Sequence, residues 1–237
     1  LIDRIQYHGK PRGNYLPAAA YNLVTQVDGK GVYSFCMCPG GFMVPSATSP
    51  GEVVVNGMSP SHRNSRWANS GIVTEIREED AVRYGSGPLA GTEYQAYLEK
   101  MAWKEGGMSQ RAPAQRLTDF VEGRASSTLP EASYFPGLTP SPVHEWLPRD
   151  ISGRLREGFR DFGRKMKGFI TGEALVAAVE SRTSSPVRIL RDPESLHAEG
   201  IEGLWPAGEG AGYAGGIVSS AVDGMLLAAR LQAGSRQ

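Results

Sequence analysis

The stretch that most constrains this chain runs from Gly203 to Leu231, GLWPAGEGAGYAGGIVSSAVDGMLLAARL. The short apolar run Gly203 to Ala207, bounded by turn residues, predicts a buried strand. Glycines follow at 208, 210, 212, 215 and 216, and then Ile217, Val218, Ala221, Val222, Met225, Leu226 and Ala229 recur at helical spacing. A strand, a glycine-rich loop and a helix in that order form the arrangement by which α/β proteins hold phosphate-bearing cofactors. Glycine lets the backbone approach the ligand, and the free N–H groups and positive end of the helix favour its anionic parts. Glu209 adds an acceptor suited to the hydroxyls of a polyol or sugar.

The segment Gly208-Glu209-Gly210-Ala211-Gly212-Tyr213-Ala214-Gly215-Gly216 resembles the C-terminal flavin-binding segment of the FAD-utilising dehydrogenases. Cys36-Met37-Cys38-Pro39-Gly40-Gly41, Asn56-Gly57-Met58-Ser59 and Arg182 to Arg188 are similar to the same group, so the resemblance covers most of the chain. It implies that Glu209 meets the ribityl chain of FAD. It also implies that the amides around Gly215, Gly216 and Ile217 face the flavin end, with Gly208 and Gly210 in the same loop. Arg182, Thr183 and Ser184 would line the flavin or substrate, Arg182 balancing a reduced, anionic flavin. The alternative for that segment is a surface loop whose hydroxyls satisfy their own backbone.

One departure accompanies these matches. Proteins of this kind begin with a βαβ unit whose G-x-G-x-x-G turn grips the ADP half of FAD, and no such unit is legible here. The chain, which starts at Leu1, therefore reads as the C-terminal portion of a longer enzyme. Its partners would be the N-terminal FAD-binding half of the same protein and a small-molecule substrate. Alone it is expected to hold little or no FAD.

Composition excludes several other classes. Lys and Arg balance Asp and Glu at 25 each, so the basic footprint of a nucleic-acid-binding protein is absent. No apolar run approaches the roughly 20 residues that span a bilayer, and a cytoplasmic location is the default. The 30 glycines and 16 prolines, spread through patterned sequence, imply many turns rather than disorder.

The fold expected is α+β: an antiparallel sheet with flanking helices, followed by the strand, glycine loop and helix of an incomplete Rossmann-like FAD domain. Residues 1–20 read as irregular. Strands are predicted at Tyr21–Val27, Gly31–Cys38, Glu52–Asn56 and Gly71–Ile76, the first two joined by an Asp28-Gly29 hairpin turn. Thr92 with Gln95 predicts a capped helix, and Pro113 a second one through Val121. A long loop is expected over 124–144. Ile151, Leu155, Phe159 and Phe162 predict a third helix over about 150–163. Thr171 would cap a fourth over 172–180, and Val187–Leu190 reads as a strand. The domain division that follows is 1–183 for the substrate domain and 184–237 for the returning elements of the cofactor domain.

Cys36 and Cys38 sit two apart on a predicted strand and so share a face. They read either as small buried side chains or as lining of a substrate pocket. The spacing is wrong for a C-x-x-C redox turn, and the four histidines are scattered, so no metal site is predicted. Asn56, Ser59, His62, Arg63, Asn64 and Asn69 form a polar stretch, either the rim of a substrate site or a turn-rich connection. No catalytic acid or base is legible. The competing functional readings are a non-enzymatic ligand-binding domain with a phosphate-binding loop and, behind it, a thiol redox protein using Cys36 and Cys38.

Overall fold

The computed structural model describes residues 7–10, 13–17 and 22–234. Tyr21 and part of the irregular start lie outside that range. The architecture is α+β, in two compact units: residues 1–77 with 96–180, and residues 78–95 with 181–237.

The first unit is built on three small sheets. Strands β1 (Val24–Val27), β2 (Lys30–Pro39) and β5 (Ala68–Thr74) pair antiparallel in the order β1-β2-β5, and β3 (Phe42–Pro45) pairs with β4 (Val55–Met58). The third sheet places β6 (Ala112–Arg116) between β7 (Leu138–Pro140), to which it is parallel, and β8 (Leu175–Ala177). The first hairpin forms as its turn residues require: Asp28 and Gly29 both have positive φ, 52° and 72°, and Val27 faces Lys30 across a two-residue loop. An added Cβ at Gly29 would meet nothing within 4 Å. Gly29→Ala should therefore cost only the backbone term, about 1 kcal/mol, read as a lower urea midpoint at unchanged slope.

Helix α5 (Arg149–Lys165) packs across β1, β2 and β5, as the spacing of Ile151, Phe159 and Phe162 predicts; all three are buried. Gly158 makes the close approach possible, since a Cβ there would stand 2.6 Å from Val32 Cγ1. Phe159 meets Phe120 of α3 (Leu117–Glu122) edge to face at 5.8 Å, and Phe162 meets Phe169 at 6.0 Å.

Several local expectations are overturned. The segment 52–54 pairs with no strand of the first sheet: Val54 accepts from Ser46 and Val53 donates to the Glu99 carbonyl. Pro113 does not open a helix but lies in the central strand β6. Its carbonyl accepts from Ala178, and the helix begins only at Leu117. The region 124–144 contains β7 and the start of the short α4 (Val143–Trp146). Thr171 closes a turn onto Glu173 and Ala174, after which Leu175–Ala177 extends as β8 rather than coiling.

The second unit contains α1 (Glu78–Ala81), a 3-10 turn (Gly87–Leu89), the first turns of α2 (Ala90–Glu105), and helix α6 (Ile217–Gly234). The 3-10 turn starts α2 two residues before Thr92, so Thr92 is not its cap, and Gln95 instead donates to the Ser181 carbonyl at 2.8 Å. Tyr84 stacks on Tyr94 at 4.2 Å, and Gly91 lies against Pro186. The Gln95 and Gly91 contacts join 78–95 to the chain from 181 on. Neither Val187–Leu190 nor Gly203–Ala207 forms a ladder; one isolated bridge, Arg191 with Ala198, is all the sheet pairing found there among the described residues. Strands expected for a parallel sheet need neighbours to pair with, and none stands beside them among the described residues of this unit.

Candidate functional site

The glycine-rich loop of the second unit is held by an ion pair that the sequence reading did not single out. Arg191 Nη2 and Nη1 reach Asp223 Oδ1 and Oδ2 at 2.6 and 3.1 Å, and Nη1 also donates to the Pro206 carbonyl at 2.6 Å. Asp223, projecting from α6, accepts the Gly208 amide at 2.8 Å. Tyr213 covers the guanidinium at 3.7 Å, its hydroxyl donating to the Ile189 carbonyl. The Arg191 hydrogen bond and then the Gly208 amide hold the Asp223 carboxyl below the usual carboxylate range. A bidentate arginine–carboxylate pair thus ties the start of the loop to α6.

The Arg182 to Arg188 stretch and the loop come together in this unit. Ser185 Oγ donates to the Gly210 carbonyl at 3.2 Å, Ile189 N to the Ala211 carbonyl at 3.2 Å, and Arg188 Nε to the Gly212 carbonyl at 3.1 Å. Ahead of that seam, Arg182 and Ser184 are exposed and Thr183 is half-buried.

The loop's amides divide into two sets. Gly208 donates to Asp223, Gly212 to the Glu209 carbonyl, Tyr213 to the Gly208 carbonyl and Gly215 to Ser219 Oγ. The amides of Gly210, Gly216 and Ile217 have no hydrogen-bond acceptor among the described residues, nor has the Glu209 carboxylate a donor. The glycines divide similarly. Gly212 has φ 82°, and a Cβ on it would stand 2.6 Å from the Val187 carbonyl oxygen. At Gly210, Gly215 and Gly216 an added Cβ would meet nothing within 4 Å, and none of the three has positive φ. The fold requires glycine at 212 but not at these three, whose backbone lies open. A cofactor carrying hydroxyls and an anionic or electron-rich edge fits this donor set.

The other predicted residues lie in the first unit, and the structure treats them unequally. Ser34 faces Ile72 while Met37 faces Ser70, so β2 carries an extra residue against β5. Cys36 falls in this bulge and is exposed, whereas Cys38, beyond it, is buried; the shared face expected from strand alternation is lost. Burial pushes the Cys38 thiol up, against a lowering hydrogen bond with Ser59, which disfavours the thiolate a redox role needs. Asn56 turns its Oδ1 onto the Gly57 amide at 2.6 Å, Ser59 donates to the Pro39 carbonyl at 3.2 Å, and Arg63 is exposed. Asn69 is not in a loop but on β5, directly opposite Cys38. Glu180 lies beside the same strands: a Cβ on Gly71 would stand 2.6 Å from its Oε2, and burial raises its carboxyl above the ordinary range. No group of three or more His, Cys, Asp or Glu able to hold a metal ion occurs among the described residues, and no helix among them is long and apolar enough to cross a membrane.

Comparison with known proteins supplies the remaining observation. The family described as FAD-dependent protein, C-terminal domain-like, matches residues 1–183. An uncharacterized protein of Clostridium beijerinckii is 43% identical over 232 residues, an overlap covering 96% of this chain and 43% of the relative. The chain thus spans less than half the length of that curated relative.

Proposed function

This chain belongs to the FAD-dependent protein family, in its C-terminal domain-like part, and from that premise we propose that it serves an FAD-dependent oxidoreductase of the dehydrogenase type. Its first unit would carry the substrate side. The loop after Ala207 would carry the flavin side of the cofactor site. Bound FAD would supply the electron transfer, and the protein binding and orientation. Within the loop, Glu209 would accept hydrogen bonds from the ribityl hydroxyls, and the amides of Gly216 and Ile217, at the start of α6, would face the electron-rich edge of the flavin. Arg182, Thr183 and Ser184 would stand at the same cofactor, and Cys38, Asn56, Ser59 and Arg63 on the substrate side.

The observation that carries this reading is the set of glycines at 210, 215 and 216, which the loop's own packing leaves without a structural reason. A second supports it. Helix α6 leaves Ile217 91%, Val218 77% and Met225 72% exposed, an apolar surface suited to cover by the N-terminal, ADP-gripping half of a longer protein.

The test is purification of a longer protein in which this chain follows such a half. It should emerge with, or take up, FAD and show the two-banded visible absorbance of a bound flavin. The 237-residue chain alone should retain little. A longer protein that stays colourless when supplied with FAD overturns the assignment.

A further inference from the structure

We propose that the apolar cavity beside β7, with Arg111 against its wall, binds a small monocarboxylate whose body is a ring or a group of similar size, such as an aromatic carboxylic acid. The site lies in the first unit. None of Cys38, Asn56, Ser59 and Arg63 lines it, and it goes beyond the cofactor reading without resting on it.

The cavity is formed by β7 and the loop that leads into it. It holds about 270 Å³, is open to solvent, and has Leu129, Pro130, Tyr134, Gly137, Leu138 and Pro140 in its lining. The one polar side-chain group among these, the Tyr134 hydroxyl, donates to the Gln110 carbonyl at 3.1 Å. The walls are set in advance by the backbone. Gly137 N donates to the Tyr134 carbonyl at 3.0 Å, closing a turn, and the Gly137 carbonyl accepts from Ala112 of β6 at 3.1 Å. The prolines fix their own φ as well. An apolar cavity of about 150 Å³ suffices to hold benzene, so this one has room for a ring with a short substituent.

Arg111 stands against two of the lining residues. Its Nη2 donates to the Leu138 carbonyl, and a Cβ on Gly137 would stand 2.6 Å from its Nη1. Gly137, at φ 88°, thus offers bare backbone for the guanidinium to lie on. Nε donates to Thr139 Oγ1 at 3.2 Å, and that hydroxyl in turn donates to the Gly106 carbonyl at 3.0 Å. These bonds orient the group yet use only two of the five N–H donors an arginine carries. Nη1 has no acceptor, and no carboxylate pairs with Arg111, among the described residues. Glu131, the acidic residue of the cavity loop, is engaged by Arg66. An exposed, oriented cation with unused donors therefore borders an apolar hollow.

The two features together select the ligand. A carboxylate accepts two parallel N–H bonds from a guanidinium, a charge-assisted match that an alcohol does not reach. An ammonium meets like charge there. Phosphate satisfies the cation but brings no apolar surface to displace water from the cavity. A small apolar monocarboxylate answers both the charge and the hollow.

The experiment is an NMR titration of the isotope-labelled full chain with benzoate, benzyl alcohol and benzylammonium in turn. Benzoate should shift the Gly137 and Leu138 amides and the Arg111 Nε–H together and saturably. Benzyl alcohol should bind there about tenfold or more weakly, the worth of hydrogen bonds to a charged group, and benzylammonium should give no saturable shift. Arg111→Met keeps the apolar stem and should bring benzoate down to the affinity of benzyl alcohol while leaving that of benzyl alcohol within about twofold of the parent. No saturable response to benzoate at these residues, or benzyl alcohol or benzylammonium binding as tightly as benzoate, overturns the proposal on the wild-type chain alone. The titration needs no flavin, so its failure would leave the cofactor reading to be decided by flavin retention in the longer protein.

Discussion

Replacing Asp223 by alanine is expected to loosen the second unit by roughly 2–3 kcal/mol, just below the range of about 3–5 kcal/mol for breaking a fully buried ion pair. The reduction from the full range follows from position: the Arg191 and Asp223 side chains are only 10% and 12% exposed, but they lie near the surface of their unit. The loss has three parts. Arg191 keeps its charge without a carboxylate, the Gly208 amide loses its acceptor, and α6 loses its tie to the loop. Arg191→Met, which leaves Asp223 its Gly208 contact, should cost less, and the double variant should cost less than the two single losses combined. Hydrogen exchange at the amides of Gly208, Gly212 and Tyr213, all internally bonded, reads the effect directly. The same pair sets a pH dependence. The Asp223 carboxyl is held below its ordinary value of about 3.9 by Arg191 first and the Gly208 amide second. Its contribution is therefore complete above that ordinary value and is lost as pH falls through the depressed one. In Asp223→Asn that acid-limb contribution should be missing, and amide protection in the loop should change less than in the parent between about pH 5 and about pH 3, roughly one unit either side of the ordinary value.

How far the sequence foretold this molecule depends on the range of the forces involved. The Asp28-Gly29 turn and the helix over Ile151, Phe159 and Phe162 were legible because local sterics and one-sided burial dictate them. Pro113 was not, since its ring suits the first turn of a helix as well as a strand position whose N–H is not needed. What places it in β6 is pairing with residues 139 and 178, which no local pattern encodes. Leu175 to Val179 reads as helix or strand for the same reason. Within the candidate site, the glycine loop and Glu209 could be located from their order along the chain. Asp223 could not: it looks like an ordinary polar residue on an amphipathic helix until Arg191, 32 positions earlier, is seen to bind it. The extra residue in β2 that separates Cys36 from Cys38 is equally invisible before pairing is known.

The glycines of the loop allow fold and ligand to be separated in one experiment. Gly212→Ala should disrupt the loop itself, costing roughly 2–4 kcal/mol from a left-handed backbone and a backbone clash. At φ 82° the new methyl would press on the Val187 carbonyl oxygen at 2.6 Å and the Arg188 Cα at 2.9 Å, neither of which is the movable end of a side chain. Gly215→Ala and Gly216→Ala should behave oppositely. The methyl enters open space on an ordinary backbone, so stability should stay within about 0.5 kcal/mol of the parent. If a flavin cofactor lies against those positions, each methyl occupies the ligand's volume, and overpacking of about 1–3 kcal/mol becomes a loss of roughly 5- to 150-fold in FAD affinity. The longer protein provides the measurement, with thermal unfolding of the apoprotein for stability and flavin fluorescence on titration for affinity. Unchanged affinity in both Gly215→Ala and Gly216→Ala would mean that nothing approaches this backbone closely. The glycines would then need an explanation other than FAD, and the flavin-side role of the loop would be withdrawn while the family membership stood.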